Sequence, residues 1–306
     1  MEIKRQGRAV IAGCACNCGE FLPTVLKNVA QLATLFEATR FVFVENNSTD
    51  QTRVLLEEWV RERPTARLIT LGDLARQIPA KTVRLTVARN RYLEALSEPD
   101  GGGDYDYLIV LDLDSVNAEA FDLEKFRQAL AFLEREEDRA GLFANARPCY
   151  YDIWALRHAV WCPTDCWGLA RKLEPLFKKN LAYLLAVYSR QIHIPAHRAP
   201  IEVDSAFGGL AIYKIPAIVG SRYCGTSPEG GELCEHVAFH KSIVNQGKRL
   251  YIFPALEVVA PPGHLLKSER LKTAKAIFSR VVLNVRRGYY NCRINGLRGG
   301  TGIAGA

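Results

Sequence analysis

Two aspartates that follow a short apolar run are the residues of this sequence best suited to binding a cation. The run is Leu108 to Leu111, and Asp112 and Asp114 come directly after it. Residues i and i+2 of a strand point to the same side, so we expect both carboxylates at the carboxyl edge of a sheet, where open α/β proteins bind ligands. Neighbouring carboxylates repel each other, and a divalent metal that also binds phosphate oxygens would relieve that repulsion. An acidic turn after a strand is the alternative interpretation.

The elements that must position these aspartates alternate between strand and helix. Apolar runs predict strands at residues 8–15, 40–44, 66–71, 108–111, 141–146, 202–213 and 249–253. Apolar residues at helical spacing predict helices at residues 20–36, 50–63, 86–96, 121–137 and 234–246. This order predicts an α/β domain with a Rossmann-like, mostly parallel sheet flanked by helices on both faces.

Composition narrows the class of protein. The chain has 306 residues, 48% of them hydrophobic and 24% charged, which is typical of a globular protein with a full core. A formal charge of +7 is a moderate excess that suits an anionic substrate, polymer or membrane surface and gives no indication of nucleic-acid binding. No apolar run approaches the roughly 18 residues of a membrane span.

The nine cysteines include a group near the first predicted strand. Cys14, Cys16 and Cys18 alternate in sequence, which places them on one side of a strand and does not match the spacing of a zinc knuckle. An odd cysteine count without a secretion signal favours reduced thiols in a cytosolic protein.

The order of several motifs resembles that of GT-A glycosyltransferases, over roughly residues 8–265. Four segments carry the resemblance: 44–50 (Val-Glu-Asn-Asn-Ser-Thr-Asp), 88–90 (Ala-Arg-Asn), 111–114 (Leu-Asp-Leu-Asp, an Asp-x-Asp motif) and 234–240 (Cys-Glu-His-Val-Ala-Phe-His). Residues 150–157 further resemble an aromatic segment of the fungal capsule-associated mannosyltransferases.

The resemblance implies a nucleotide-diphosphate sugar donor, GDP- or UDP-linked, and Mn²⁺ or Mg²⁺ as cofactor. By position, Glu45 and Asn47 would approach the base and ribose, and Arg89 the base or pyrophosphate. Neutralising Arg89 is therefore expected to weaken donor binding more than folding. Asp112 would lie near the ribose and metal, and Asp114 would bind the metal directly.

The acceptor side of the site is also implied by the resemblance. Glu235 would face the acceptor hydroxyl as a catalytic carboxylate; the alternative is a surface carboxylate or an ordinary carboxylate at a helix N-terminus. His264 would be a third metal ligand or, alternatively, an ordinary loop histidine. The remaining predicted substrate-binding residues are Tyr151, Asp152, Trp154, Gly208 and Gly209; the two aromatic residues could equally belong to the core.

The sequence departs from the family pattern in two places. Glu45-Asn46 stands where two aspartates are usual, which leaves the identity of the base open. Glu235-His236 stands where Glu-Asp is usual, which leaves open whether Glu235 is a base or only supports the acceptor or the sugar. His236 and His240 could share a helix face, but no third ligand lies near them in sequence.

The predicted organisation is a single domain, residues 1–265, with a basic segment after it. Residues 1–116 would form the nucleotide-sugar-binding half and residues 117–265 the acceptor half, with an insertion at about 160–200. Residues 266–306 would form a basic C-terminal helix and a flexible tail. The helix could rest on anionic lipid, so the protein is expected to be cytoplasmic, with peripheral contact to the inner face of a membrane.

The predicted function is transfer of a hexose to a glycan or a lipid-linked polysaccharide precursor, by a hexosyltransferase. The fungal resemblance favours mannose and retention of configuration. One alternative is a HAD-type phosphohydrolase, because an apolar strand followed by Asp-x-Asp also resembles the opening motif of that family. The other is a non-catalytic scaffold with a sugar-nucleotide fold.

Overall fold

The centre of the computed structural model, which describes residues 6–98, 105–266 and 275, is one eight-stranded sheet. Its strands are β1 (Gln6–Ala15), β2 (Phe36–Glu45), β3 (Ala66–Thr70), β4 (Tyr107–Asp112), β5 (Arg139–Arg147), β6 (Ile201–Val203), β7 (Leu210–Lys214) and β8 (Arg249–Val259). Across the sheet they follow the order β3-β2-β1-β4-β7-β5-β8-β6. Six of these eight strands run in one direction and β6 and β7 run in the other, so the prediction of a mostly parallel sheet is confirmed in part: the sheet is mixed.

The departure from a parallel sheet is centred on β7. Strands β1 to β4 pair in parallel, as do β5 and β8, whereas β7 is antiparallel to both β4 and β5, and β6 is antiparallel to β8. After β5 ends at Arg147, the chain makes a long excursion and starts β7 beside Asp112, at the same edge. A strand that begins where its neighbours end must run against them, and the strand pattern alone did not show this.

Helices cover both faces of the sheet, as predicted. The described helices are α1 (Leu22–Ala33), α2 (Thr52–Arg61), α3 (Leu74–Gln77), α4 (Lys81–Leu96), α5 (Leu123–Glu134), α6 (Cys166–Leu173), α7 (Lys179–Ala186), α8 (Ile215–Ile218) and α9 (Glu235–Val244). Short 3₁₀ helices lie at Ser115–Asn117, Tyr188–Arg190 and Pro262–His264. On one face of the sheet, α1, α2 and α5 contribute the buried side chains Leu22, Leu56 and Phe126 to the core. On the other face, α4 and α9 contribute Tyr92 and Phe239.

Several predicted boundaries shift. The first helix ends at Ala33 rather than continuing to Phe36, because Phe36 is buried as the first residue of β2. The third predicted helix begins earlier, at Lys81, so it reaches the cleft edge of the sheet. Residues 202–213 divide into the end of β6, a loop and β7.

The insertion predicted at residues 160–200 contains α6 and α7, which pack against each other. Arg157 anchors its start through an ion pair with Asp165, with 3.0 Å between Arg157 Nη2 and Asp165 Oδ2. Of the helices described here, none combines the length and apolar character needed to cross a bilayer. Nearly all of the predicted C-terminal helix and tail lies outside the described residues, as does most of the loop before β4.

Candidate active site

The end of β4 is held in place by hydrogen bonds to two neighbouring segments. The Asp112 amide donates to the carbonyl of Gly209 at the start of β7, at 2.9 Å. Asn117, which is buried, donates from Nδ2 to the carbonyls of both Asp112 (2.8 Å) and Gly209 (2.9 Å). The backbone that carries Asp112 is therefore fixed by the neighbouring strand and by the turn that follows.

Asp112 and Asp114 face one cavity of about 300 Å³ at the carboxyl edge of the sheet. Leu113 between them is buried, so the alternation expected of a strand continues past the last residue of β4. Asp114 caps the 3₁₀ helix that follows, since its Oδ1 accepts from the amide of Val116 at 3.0 Å. The predicted convergence of the two carboxylates is present, although Asp114 itself lies outside the strand.

The surroundings of Asp112 disfavour its charged form. Burial raises its pKa to about 7, with Asp114, Asp152 and Glu235 adding to the rise and Arg89 opposing it. About 30% of the Asp112 side chain remains exposed, and it faces the cavity. A bound cation would favour the charged form of such a group.

Arg89 links two carboxylates in the interior. It projects from α4 with only 4% of its side chain exposed. Its Nε donates to Glu235 Oε1 at 2.9 Å and its Nη2 to Asp112 Oδ1 at 3.4 Å, while the ring of Phe207 lies 4.9 Å from the guanidinium carbon. Among described residues its Nη1 has no partner. Arg89 therefore joins the predicted donor and acceptor carboxylates through a single guanidinium.

Glu235 is the first residue of α9 and is buried. A carboxylate in the first turn of a helix interacts favourably with the helix dipole, and here Arg89 also pairs with it. Glu235 is therefore not a surface carboxylate, although it is a carboxylate at a helix N-terminus as the alternative supposed, and it lines the same cavity as the two aspartates.

His236, next in sequence, is a cavity residue to which the sequence analysis gave no role. It is stacked on Phe207 with 4.0 Å between ring centroids, and neither ring nitrogen has a hydrogen-bond partner within the part of the chain that the structure describes. Burial, together with Arg89, lowers the pKa of His236 well below its usual value, so the ring is neutral. His240 shares its helix face, but it hydrogen-bonds to Ser205 and Tyr213 and belongs to the core.

The aromatic segment after β5 forms the opposite wall. Tyr151, Asp152 and Trp154 all line the cavity, and His264 lies beside Tyr151 with ring centroids 5.4 Å apart. Asp152 accepts from the amide of Gly208 at 3.1 Å, and burial raises its pKa. The structure thus brings this part of the predicted substrate site to the two aspartates.

Gly208 and Gly209 act through the backbone. Both have positive φ, 68° and 88°. A Cβ at Gly208 would lie 2.7 Å from the carbonyl oxygen of Ala144, and one at Gly209 would lie 2.4 Å from Val116 Cγ1. Neither glycine lines the cavity; they position Asp152 and the end of β4 by hydrogen bonds.

Two predicted base- and ribose-binding residues lie outside the cavity lining. Glu45 is buried and accepts from the amide of Ser48 at 3.0 Å. Asn47 bonds to Asp73 and accepts from the amide of Ala75 at 3.1 Å, so it ties two loops together. Asn46, between them, is the residue of this segment that lines the cavity.

The cavity also contains residues that were not assigned to it from the sequence, among them Lys81 and four cysteines: Cys14, Cys16, Cys18 and Cys234. Register explains the position of Cys14, because it pairs directly with Asp112 across β1 and β4. Burial raises the pKa of Cys14 to about 12 and that of Cys18 to about 11, so these thiols stay protonated and are poor metal ligands. The sequence alone does not show that β1 pairs with β4, and this pairing is what places Cys14 beside Asp112.

The fit of a metal ion depends on the two aspartates. Within residues 6–98 and 105–266, no three His, Cys, Asp or Glu side chains converge closely enough to hold an ion. The predicted set of Asp112, Asp114 and His264 is therefore not assembled as a complete coordination shell. The oxygen donors of the two aspartates do suit a hard divalent ion, whose remaining ligands would come from phosphate oxygens and water.

A second, larger cavity of about 660 Å³ adjoins the first. The two share Lys81, Tyr151, Asp152, Trp154 and His264. Helices α6 and α7 of the insertion close its far side.

Comparison with known proteins gives fold-level similarity only. No protein-family model matches this chain, and no curated protein matches it in sequence. The mannosyltransferase PcManGT from Pyrobaculum calidifontis, solved in complex with GDP-Man and Mn²⁺, is similar over 83% of this chain with a TM-score of 0.47 and 14% identity. This chain spans 57% of the length of that mannosyltransferase.

Glucosyl-3-phosphoglycerate synthase from Mycobacterium tuberculosis, solved in complex with Mn²⁺, UDP and phosphoglyceric acid, is similar over 91% of this chain and 78% of its own. The TM-score is 0.42 and the identity 11%. Similarity at this level leaves the activity of this chain to be inferred from its own residues.

Proposed function

We propose that this chain is a metal-dependent glycosyltransferase that moves a hexose from a nucleotide-diphosphate sugar to a glycan acceptor. The observation that carries the proposal is that Asp112, Asp114, Arg89 and Glu235 line one cavity at the carboxyl ends of parallel strands. Cleavage of a sugar–phosphate bond builds negative charge on the departing diphosphate, and a site for it needs cationic and metal-binding groups together.

Asp112 and Asp114 would hold the divalent ion. When bound, the ion supplies positive charge that stabilises the leaving diphosphate. Arg89 fixes the orientation of Asp112, and Asn117 together with Gly209 fixes its backbone. Lys81, an exposed residue at the start of α4, faces the same cavity and adds a mobile positive charge for a phosphate.

Glu235 is assigned as a positioning residue for the reacting groups. Its Oε1 is engaged by Arg89 at 2.9 Å, so the carboxylate is held in the cavity wall and its geometry is coupled to that of Asp112. This arrangement favours support of the acceptor or of developing positive charge on the sugar over free general-base action. A supporting role for Glu235 accords with retention of configuration at the transferred sugar.

Finer features of the proposal have separate support. Mannose is favoured by the resemblance of residues 150–157 to the fungal capsule-associated mannosyltransferases, and Tyr151, Asp152 and Trp154 of this segment line both cavities. The free cysteines among the described residues suit a cytoplasmic protein. Contact with an anionic membrane, and hence a lipid-linked acceptor, would depend on the basic residues of 268–286.

A thermal-shift screen tests the proposal. UDP- and GDP-sugars would be added with Mn²⁺ or with EDTA, and a ligand at about 100 times its dissociation constant stabilises by about 2.7 kcal/mol, or roughly 4 °C in Tm. We expect a shift that requires Mn²⁺, that is lost in Asp114→Asn and that persists in Asp122→Asn. Asp122 is the matched control because it caps α5 much as Asp114 caps its 3₁₀ helix, yet lies outside the cavity.

Activity is then measured as release of nucleoside diphosphate and as formation of a glycosylated product. The absence of any sugar-nucleotide shift, or an equal shift in EDTA, would overturn the proposal. Metal-dependent hydrolysis of p-nitrophenyl phosphate that is lost in Asp112→Asn would instead indicate a phosphohydrolase. Binding of a sugar nucleotide without turnover would indicate a scaffold.

A further inference from the structure

The 660 Å³ cavity beside the carboxylates has the size of a ligand-binding site, since such sites span about 300–1,000 Å³. It lies between the insertion helices, the 151–154 segment and the 3₁₀ helix that ends at His264. Tyr151, Asp152 and Trp154 face both this cavity and the smaller one. A molecule bound in this cavity would therefore lie next to the proposed donor site.

Aromatic rings form much of its wall. Trp154 and Trp167 line it together with Tyr151, Tyr183 and Tyr188. Trp167 of α6 packs edge-on against Tyr183 of α7 at 5.1 Å, which holds both rings in place. Partly exposed aromatic faces offer apolar surface to the C–H face of a sugar ring while leaving its hydroxyls free to bond at the rim.

Two buried polar atoms in this wall have no partner among the residues that the structure describes. They are the indole Nε1 of Trp154, a donor, and the amide Oε1 of Gln191, an acceptor. Gln191 is only 3% exposed, and its Nε2 is already used by the carbonyls of His264 (2.8 Å) and Tyr151 (3.3 Å), so only its oxygen has no partner among the described residues. Leaving such atoms unpaired costs about 1–3 kcal/mol each, and hydroxyl groups can satisfy both because they donate and accept.

The charges in the wall indicate a neutral ligand. The described lining contains Asp152, Glu174 and Glu232 against Lys81 and Arg171, with His264 as its only histidine. Carboxylates therefore outnumber the permanent cations, which disfavours a phosphorylated or carboxylated acceptor.

We propose that this cavity is the acceptor site and that it binds a neutral, hydroxyl-rich saccharide between Trp154 and Trp167. The inference rests on the proposed function in one respect: the saccharide is named as the acceptor. Saccharide binding itself is independent of any donor.

The test is saturation-transfer difference NMR with methyl glycosides of common hexoses on the protein alone. We expect transfer to the ring protons of at least one glycoside, with affinity about tenfold weaker in Trp167→Ala. Trp59→Ala is the matched control, because Trp59 is also half-buried on a helix but packs on Phe41, outside both cavities. It should bind the glycoside as the parent does.

A second variant keeps the test decisive if Trp167→Ala folds poorly. Trp154→Phe removes the indole donor and retains an aromatic ring, so saccharide affinity should fall while the Tm without ligand stays close to that of the parent. 3-Phosphoglycerate serves as the charged probe and should neither bind nor compete.

Three results would overturn the inference: no glycoside binds, Trp167→Ala and Trp154→Phe bind like the parent, or 3-phosphoglycerate binds in preference. Failure of the proposed function looks different, because the sugar-nucleotide shift with Mn²⁺ would be absent while glycoside binding remained. The converse result, a Mn²⁺-dependent donor shift without glycoside binding, would remove the saccharide site and leave the donor site in place.

Discussion

Replacing Arg89 with methionine is expected to destabilise the protein strongly. The guanidinium is buried and pairs with Glu235 at 2.9 Å and with Asp112 at 3.4 Å. Methionine keeps an unbranched apolar stem in the same space but removes the charge. Two carboxylates would then lie at the cavity wall without their shared cation.

Removing one partner of a buried ion pair typically costs about 3–5 kcal/mol, because the other charge is left buried and uncompensated. Asp112 can relieve its share by taking up a proton, since its pKa is already about 7 with Arg89 present. Glu235, only 5% exposed, would lose its 2.9 Å ion-pair partner in the interior and should account for most of the loss. We therefore expect Arg89→Met to cost about 3–5 kcal/mol and the double variant with Glu235→Gln to recover about 2–3 kcal/mol of it.

Urea unfolding followed by tryptophan fluorescence measures these differences. Arg91→Met is the matched control, because Arg91 lies on the same helix and pairs with Glu94 at the surface, where a pair contributes at most about 1 kcal/mol. Equal stability of Arg89→Met and Arg91→Met, or additive effects of the Arg89 and Glu235 changes, would refute the reasoning. The expectation from sequence, that neutralising Arg89 would affect donor binding more than folding, does not suit so buried a side chain.

Three further predictions concern other parts of the site and core. Gly209→Ala should lower the free energy of unfolding by roughly 1–3 kcal/mol, because the added Cβ would lie 2.4 Å from Val116 Cγ1. Gly220→Ala should lower it less, because Gly220 also has a positive φ (78°) but has open space around it. Equal losses of stability in urea unfolding would contradict this reasoning. Burial lowers the pKa of His240 to about 3, so between about pH 6.5 and that value a proton binds to His240 only in the unfolded chain. The free energy of unfolding should therefore be lower by about 2 kcal/mol at about pH 5 than at neutral pH. An NMR titration that shows His240 protonated in the folded protein at about pH 5 would contradict this. Glu235→Gln should leave donor binding unchanged and reduce the rate of transfer by less than about 10²-fold. If the variant is inactive and the product of the parent enzyme has inverted configuration, Glu235 is instead the general base.

The alternation of strands and helices, the cover of helices on both faces and the convergence of Asp112 with Asp114 followed from local pattern. Each depends on residues close in sequence: an apolar run, a helical spacing, two carboxylates two residues apart. Arg89 and Glu235 were selected by resemblance, and the structure places both in the cavity wall.

The rest depended on contacts between distant segments, which a single sequence does not show. Cys14 reaches the site because β1 pairs with β4, and His236 does so because α9 packs against Phe207. Glu45 and Asn47 have the polarity of binding residues, yet their hydrogen bonds serve the turn after β2. Whether a polar side chain is free to bind a ligand depends on partners that are distant in sequence, as with the Asn117 side chain and the carbonyl of Gly209, 92 residues away.

The reversed strand β7 has a consequence for any attempt to divide this protein. It separates β4 from β5 and hydrogen-bonds to both, so the sheet has no seam between the two halves of the chain. A fragment ending at Arg147 would lack β7 and expose Leu108–Leu111 along an open, apolar strand edge, which is a template for aggregation. Splitting the chain there should give insoluble pieces, and a workable split would have to leave β4 and β7 in the same polypeptide.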